Sequence, residues 1–193
     1  MDNEQRVRFP GTRRKRMSIF LISDNHFDAL DYMRRVFPRP EFKDNNDMNE
    51  TMIRNWNSVV SGNDLVISIG DFCYTDPRQW LDQLNGNKIM IRGNHDNWCE
   101  GYAGDWHLIL EYKKMRFYVT HDPAYVPKEW NEWVIHGHHH DMPDYPFING
   151  KQKNINVACE LVDYTPVALD RILSLDIEKI KKMNKINSTP ELW

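Results

Sequence analysis

Five short apolar stretches of this chain each run into a cluster of Asp, Asn, His and Gly. Residues 18–22 (Ser-Ile-Phe-Leu-Ile) lead into Ser23-Asp24-Asn25-His26, and residues 65–69 lead into Gly70-Asp71. Residues 88–91 lead into Arg92-Gly93-Asn94-His95-Asp96, residues 115–120 into His121, and residues 133–135 into His136-Gly137-His138-His139-His140. Short β-branched runs bounded by polar turn residues read as buried strands. In open α/β sheets, ligands bind beyond the carboxyl ends of the strands. Clusters far apart in sequence are thereby predicted to meet in one cleft.

The segments between these runs read as helices and turns. A helical pattern covers residues 29–36 and stops at Pro38-Arg39-Pro40. A second covers 46–60, with Met48, Met52, Trp56, Val59 and Val60 at steps that build one packed face. Residues 61–64 break it, and Pro77 opens a short helix through Leu84. Residues 107–112 and 115–120 alternate around Lys113-Lys114 as a hairpin. Late strands are predicted at 155–158 and 165–169, and a C-terminal helix at 169–186. Trp56, Trp80 and Trp106 read as core, and His107 as structural. With no repeat and no low-complexity linker, the pattern predicts one α/β sandwich domain with mixed sheets. The expected organisation is a basic extension at 1–16, a domain at 17–186 and a tail at 187–193.

Composition removes several alternatives. An apolar fraction of 40% supports one sizeable core and excludes a wholly disordered chain. No apolar run approaches the roughly 20 residues of a membrane-spanning helix. A net charge of −3 and a pI of about 6.2 argue against a nucleic-acid-coating protein and against extended nucleic-acid binding. Three widely spaced cysteines, Cys73, Cys99 and Cys159, fit neither a disulfide framework nor a zinc finger, and suit a reducing cytoplasm. The basic residues Arg6, Arg8, Arg13, Arg14, Lys15 and Arg16 lack the apolar stretch of a secretory signal. They read as a solvated extension ahead of Met17, or as an electrostatic arm toward phosphate-rich partners.

The clustered residues have a definite chemistry. Asp24 and Asp71 supply carboxylates, Asn94 an amide oxygen, and His26, His121, His138 and His140 imidazoles, with no thiolate among them. Imidazole and oxygen donors suit first-row divalent metals. A single tetrahedral zinc takes three or four ligands, so this surplus implies two metals. Asp71, alone on its loop, is the candidate bridge. Singly, each piece is ordinary: Asp24-x-His26 and Gly70-Asp71 are common turn chemistry, His121 alone would be a structural histidine, and residues 136–140 could be an adventitious metal-binding tract. Their order, each at a strand end, is what points to a built site.

The series Asp24-x-His26, Gly70-Asp71, Gly93-Asn94-His95-Asp96, His121 and Gly137-His138-x-His140 resembles the calcineurin-like metallophosphoesterase family, in its compact prokaryotic or phage form. The resemblance implies a four-layer α-β-β-α sandwich with two mixed β-sheets. It implies a dinuclear metal-dependent phosphoesterase that hydrolyses phosphomono- or phosphodiesters by direct attack of a metal-bridging hydroxide. Asp24, His26 and His140 would hold one metal, Asn94, His121 and His138 the other, and Asp71 would bridge them. Mn²⁺ is the first expectation, with Fe, Zn or Ni also admitted. His95 would contact the phosphate and assist the leaving group, and Asp96 would orient His95. Where many compact members carry Gly-His after the phenylalanine, this chain has Asp28-Ala29 after Phe27, a departure that bears on substrate contacts.

Beyond the motifs, Arg92 is a candidate phosphate contact, and Tyr74, Trp98 and Tyr125 are candidates to stack on a base. Cys73 reads as a buried hydrophobe, His136 as a support for the ligands, and His139 as pointing elsewhere. The expected partner is a phosphoester, a nucleotide among the candidates, with no membrane association. Two other readings share the motifs. One is a non-catalytic scaffold on the same fold, which the completeness of the ligand set disfavours. The other is a protein Ser/Thr phosphatase, which usually has a larger catalytic domain.

Overall fold

The computed structural model describes residues 6–8, 17–96 and 104–175. Two mixed sheets face each other. The smaller has the order β10-β2-β3-β4, from β2 (Ile19–Ile22), β3 (Leu65–Ile69), β4 (Asn87–Ile91) and β10 (Val167–Ala168). Its three first strands are parallel and β10 is antiparallel to β2. The larger has the order β1-β5-β6-β7-β9-β8, from β1 (Arg6–Arg8), β5 (His107–Tyr112), β6 (Met115–Thr120), β7 (Trp133–His136), β8 (Ile148–Asn149) and β9 (Asn154–Asn156). Among the described residues four helices complete the α/β fold: α1 (Leu30–Val36), α2 (Asn45–Val59), α3 (Arg78–Leu81) and α4 (Leu169–Ser174).

Local chemistry accounts for these elements. Every residue of β2 and β3 is buried, as expected of parallel strands covered on both faces. In α2, Met48, Met52 and Trp56 are buried, and the Asp44 carboxylate accepts from the Asp47 amide at the N-terminus. The β5–β6 hairpin pairs Tyr112 with Met115, and Lys113 and Lys114 both take positive φ, 47° and 65°. That pair of left-handed residues is what a two-residue hairpin loop matching the strand twist requires. Between the sheets, Leu21, Ile67, Leu110, Phe117, Val119 and Ile135 form part of one continuous core. On the far face of the larger sheet, Ile109, Tyr118 and Val134 form a small second cluster under Val126 and Trp130.

Several elements depart from the sequence expectation. Residues 6–8 pair in parallel with β5 and extend the larger sheet, so ordered backbone begins before Met17. The last helix ends at Ser174, where Leu175 turns extended; the rest of the helix expected to 186, and the tail, lie outside the described residues. The late strands shorten to β9 and β10 because a 3-10 turn, Cys159–Val162, intervenes. Trp106 is 57% exposed rather than core, lying before β5 with the Arg92 guanidinium over its ring. Trp56 is buried, Trp80 stacks on Phe27, and His107 stacks on Tyr118 within the sheet. Among the described residues no helix is long and apolar enough to cross a membrane.

Candidate metal centre

The carboxyl ends of β2, β3 and β4 from one sheet meet those of β6 and β7 from the other. The loop after β2 zips onto the loop after β3: the amides of Asp24, His26 and Phe27 donate to the carbonyls of Gly70, Asp71 and Phe72 at 2.9–3.0 Å. Asp24, His26, Asp71, His138 and His140 all have positive φ, between 46° and 70°. A non-glycine residue in that region costs on the order of 1–3 kcal/mol and persists only where its surroundings fix it. Five such residues at one place mark a site whose side-chain directions override local preference. Two glycines make the convergence possible. A Cβ at Gly93 would collide with the Asp71 carboxylate, and one at Gly137 with Ser23 Oγ and the Asp24 carboxylate.

Two groups of donors result. In the first, Asp24, His26 and His140 bring donor atoms within 4.8 Å of one another. The His26 and His140 rings stack at 5.3 Å, and His140 Nε2 lies 3.6 Å from Asp24 Oδ1. In the second, Asn94 Oδ1 lies 3.1 Å from His121 Nε2 and 2.9 Å from His138 Nδ1. Asp71 stands between them. Its Oδ2 is 3.6 Å from His26 Nε2 and 3.3 Å from His121 Nε2, while its Oδ1 accepts the His95 amide at 2.8 Å. All seven residues singled out in the sequence are therefore neighbours. Asp122 and His139 gather with His138 at the rim.

Burial and charge set the protonation states. Burial drives the His26 pKa well below that of free histidine, so the ring is neutral. Burial alone would raise Asp71, but the hydrogen bond and charge of His121 hold it well below the usual carboxylate range. Burial works against charge on His121 too, yet Asp24 and Asp71 lift its pKa to about 9. Both ring nitrogens of His26 are buried without a hydrogen-bond partner. A buried polar atom left unpaired calls for an explanation such as an ion. A neutral imidazole between two carboxylates, with free nitrogens, is the ligand form a divalent cation needs. The donor set fits divalent metal.

Behind the first group lies a support that the sequence reading missed. His140 Nδ1 donates to Glu160 Oε1 at 2.9 Å, which turns Nε2 toward Asp24. Glu160 in turn accepts from Nε and Nη2 of Arg39, at 3.0 and 2.8 Å. Arg39 has no exposed surface and also donates to the carbonyls of Asn25 and Asp24. Burial disfavours charge on Glu160, but Arg39 and His140 hold its carboxyl far below the usual range. Carboxylate–histidine pairs of this kind fix the tautomer and direction of a metal-binding ring. Pro38-Arg39-Pro40 reads in sequence only as a helix stop, and Glu160 carries no motif.

The remaining candidates fall on either side. His95 lines the cavity, its ring against those of Tyr74 and Tyr32 at 5.6 and 5.5 Å. Asp96 does different work from that implied by the resemblance. Both its oxygens accept backbone amides, from Asp71 and Gly93 on one and Phe72 on the other, so it ties two loops together rather than orienting the His95 ring. Arg92 is not brought to the cavity; its guanidinium stands over Trp106. His139, expected to point away, lines the rim and stacks on Tyr145 at 3.5 Å. His136 is buried beneath the last motif, Nδ1 against the Gly137 carbonyl. Tyr125 is 71% exposed on a 3-10 turn and away from the cavity, whereas Cys73 is buried. Trp98 and Cys99 lie outside the described residues.

Comparison with known proteins gives the same direction. Residues 17–153 match the calcineurin-like phosphoesterase superfamily domain. An uncharacterized protein of Methanocaldococcus jannaschii is 40% identical over 180 residues, spanning 88% of this chain and 96% of that one. A protein of unknown function from Aquifex aeolicus has a crystal structure that superposes with a TM-score of 0.64 at 23% identity, over 83% of this chain and all of that one, and so shares the fold.

Proposed function

Because the chain belongs to the calcineurin-like phosphoesterase superfamily, we propose that it is a dinuclear metal-dependent phosphoesterase acting on phosphomono- or phosphodiesters. Asp24, His26 and His140 would hold one cation, Asn94, His121 and His138 the other, and Asp71 both. The observation that carries this reading is the position of Asp71 Oδ2, within 3.6 Å of a histidine from each donor group. When bound, two divalent cations, Mn²⁺ foremost, supply Lewis acidity that acidifies water near neutral pH and offsets charge on the phosphoryl oxygens.

The protein's own groups would do the rest. The His95 amide fixes Asp71 Oδ1, leaving Oδ2 for the shared position. Asp96 locks the loops that carry Asp71 and Asn94 to one another. Glu160 presents the His140 ring in one tautomer. His95, at the cavity wall between Tyr32 and Tyr74, would give a ring N–H to the departing oxygen as the P–O bond breaks and the bond from water to phosphorus forms. The buried Cys159 thiol, which donates to the Asp24 carbonyl and makes no disulfide, supports a cytoplasmic setting.

The test is a Mn²⁺-supplemented screen of phosphomonoesters and phosphodiesters, with EDTA and Asp71→Asn as controls. Hydrolysis abolished by both controls is expected. A protein that binds two cations yet hydrolyses nothing would instead be a scaffold on this fold.

A further inference from the structure

The cavity beside the donor groups, about 230 Å³, has two unlike walls. One is made of the proposed ligands and His95. The other is apolar: Tyr32 and Val36, one turn apart on α1, then Phe37, and Met142 from the loop after His140. Tyr32, Val36 and Met142 are 37%, 42% and 44% exposed, although each is large and apolar. Phe37 stacks on His140 at a centroid distance of 3.9 Å, so the apolar wall begins where the proposed cation site ends.

Among the described residues no lysine or arginine lines this cavity, where a polyanion would need one. Of the arginines nearest in sequence, Arg35 is exposed and outside the cavity lining, Arg39 is buried below with its donors engaged, and Arg34 pairs with Asp31 and the carbonyls of Phe42 and Lys43. Sites for additional phosphates or nucleic-acid backbone are built from such side chains. The volume lies below the roughly 300–1,000 Å³ that drug-sized ligands fill.

We propose that the wall of Tyr32, Val36, Phe37 and Met142 is the specificity element of the site, selecting phosphoesters whose single phosphate carries one flat, uncharged apolar group. The inference rests on the phosphoesterase reading and names its substrate class. The cations and His95 would take the phosphate, and α1 would take the ring.

Phenylphosphonate and methylphosphonate, which differ only in the group the phosphorus carries, test it by calorimetric titration against the Mn²⁺-supplemented protein. Phenylphosphonate is expected to bind about tenfold more tightly, equivalent to about 1.4 kcal/mol. In a Val36→Ser, Met142→Ser double variant, whose substitutions are both at exposed positions, the ratio is expected to fall within twofold. Thermal unfolding confirms that the variant is folded. Equal affinities in the unmodified protein, or a ratio that survives the double substitution, would overturn the proposal. Failure of the phosphoesterase reading would show separately, as no hydrolysis of any monoester or diester in the Mn²⁺-supplemented screen.

Discussion

The two halves of the candidate centre use nearly the same donors in different surroundings. Asp24, His26 and His140 are almost wholly buried, and behind them the chain has placed a second carboxylate and a fully enclosed arginine. The other half opens to solvent. His121 is buried, with Nδ1 donating to the Ile69 carbonyl, but Asn94 is exposed and the His138 side chain is 32% exposed. Enclosed charge is costly unless partnered, and the first half carries its partners whether or not a cation is present. The lesson is one of division: one half is enclosed together with its charge partners, and the other stands partly open to solvent. A cation is accordingly expected to leave the second half first under a chelator.

Asp71→Asn strikes both halves at once, and so has the largest expected effect. Loss of several kcal/mol of charge stabilisation corresponds to a fall in turnover of about 1,000-fold or more. Metal analysis should show lowered occupancy of both positions. Unchanged turnover with two bound cations would dissolve the distinction between the halves by removing the element they share.

His95→Asn tests the opposite case, a change in the cavity that leaves both halves intact. Two cations should remain, while turnover falls by about 10²–10⁴, the range of a positioned general acid. The deficit should widen as the leaving group becomes more basic. A uniform loss across leaving groups would assign the His95 ring to binding the phosphate and not to the departing oxygen.

Glu160→Gln separates the halves. It keeps the shape of the side chain but weakens the hold on His140, and should reduce affinity for one cation by about 10–100-fold. Binding of the other should stay within a factor of about two. Equal weakening of both in calorimetric titration would mean that the two positions are one cooperative unit.

That support could not be read from the chain. The strand-end clusters were legible because each lies next to the apolar run that positions it, so that a local pattern carried tertiary information. Arg39, Cys159 and Glu160 act across about 120 residues of sequence, from a proline-flanked bend and a 3-10 turn, neither of which has a periodicity to read. The β5–β6 hairpin was legible to the residue, since alternation and loop length fix its register. The pairing of β1 was not, because Arg6-Val7-Arg8 is too short and too basic to show the apolar alternation of a strand. The loop-tying bonds of Asp96 are illegible for a related reason: they are to main-chain amides, which every sequence offers alike.

The smallest expected effect concerns His136, buried on β7 just before the open half. Burial pushes its pKa down to about 4, against about 6.5 for free histidine. The sign follows from which state binds the proton. Between those values the unfolded chain is protonated and the folded chain is not, so stability falls as pH drops from about 6.5 toward 4 and is unaffected by this group above that window. One proton contributes a slope of at most about 1.4 kcal/mol per pH unit. Urea unfolding in EDTA at pH 7, 6 and 5 should therefore show a steeper decline for the unmodified protein than for His136→Asn. Parallel declines would mean that His136 is charged in the folded state, and a cation held by its neighbour His138 would then face a positive charge from behind. A neutral His136 gives the open half the support that Arg39 and Glu160 give the closed one, by withholding charge where they supply it.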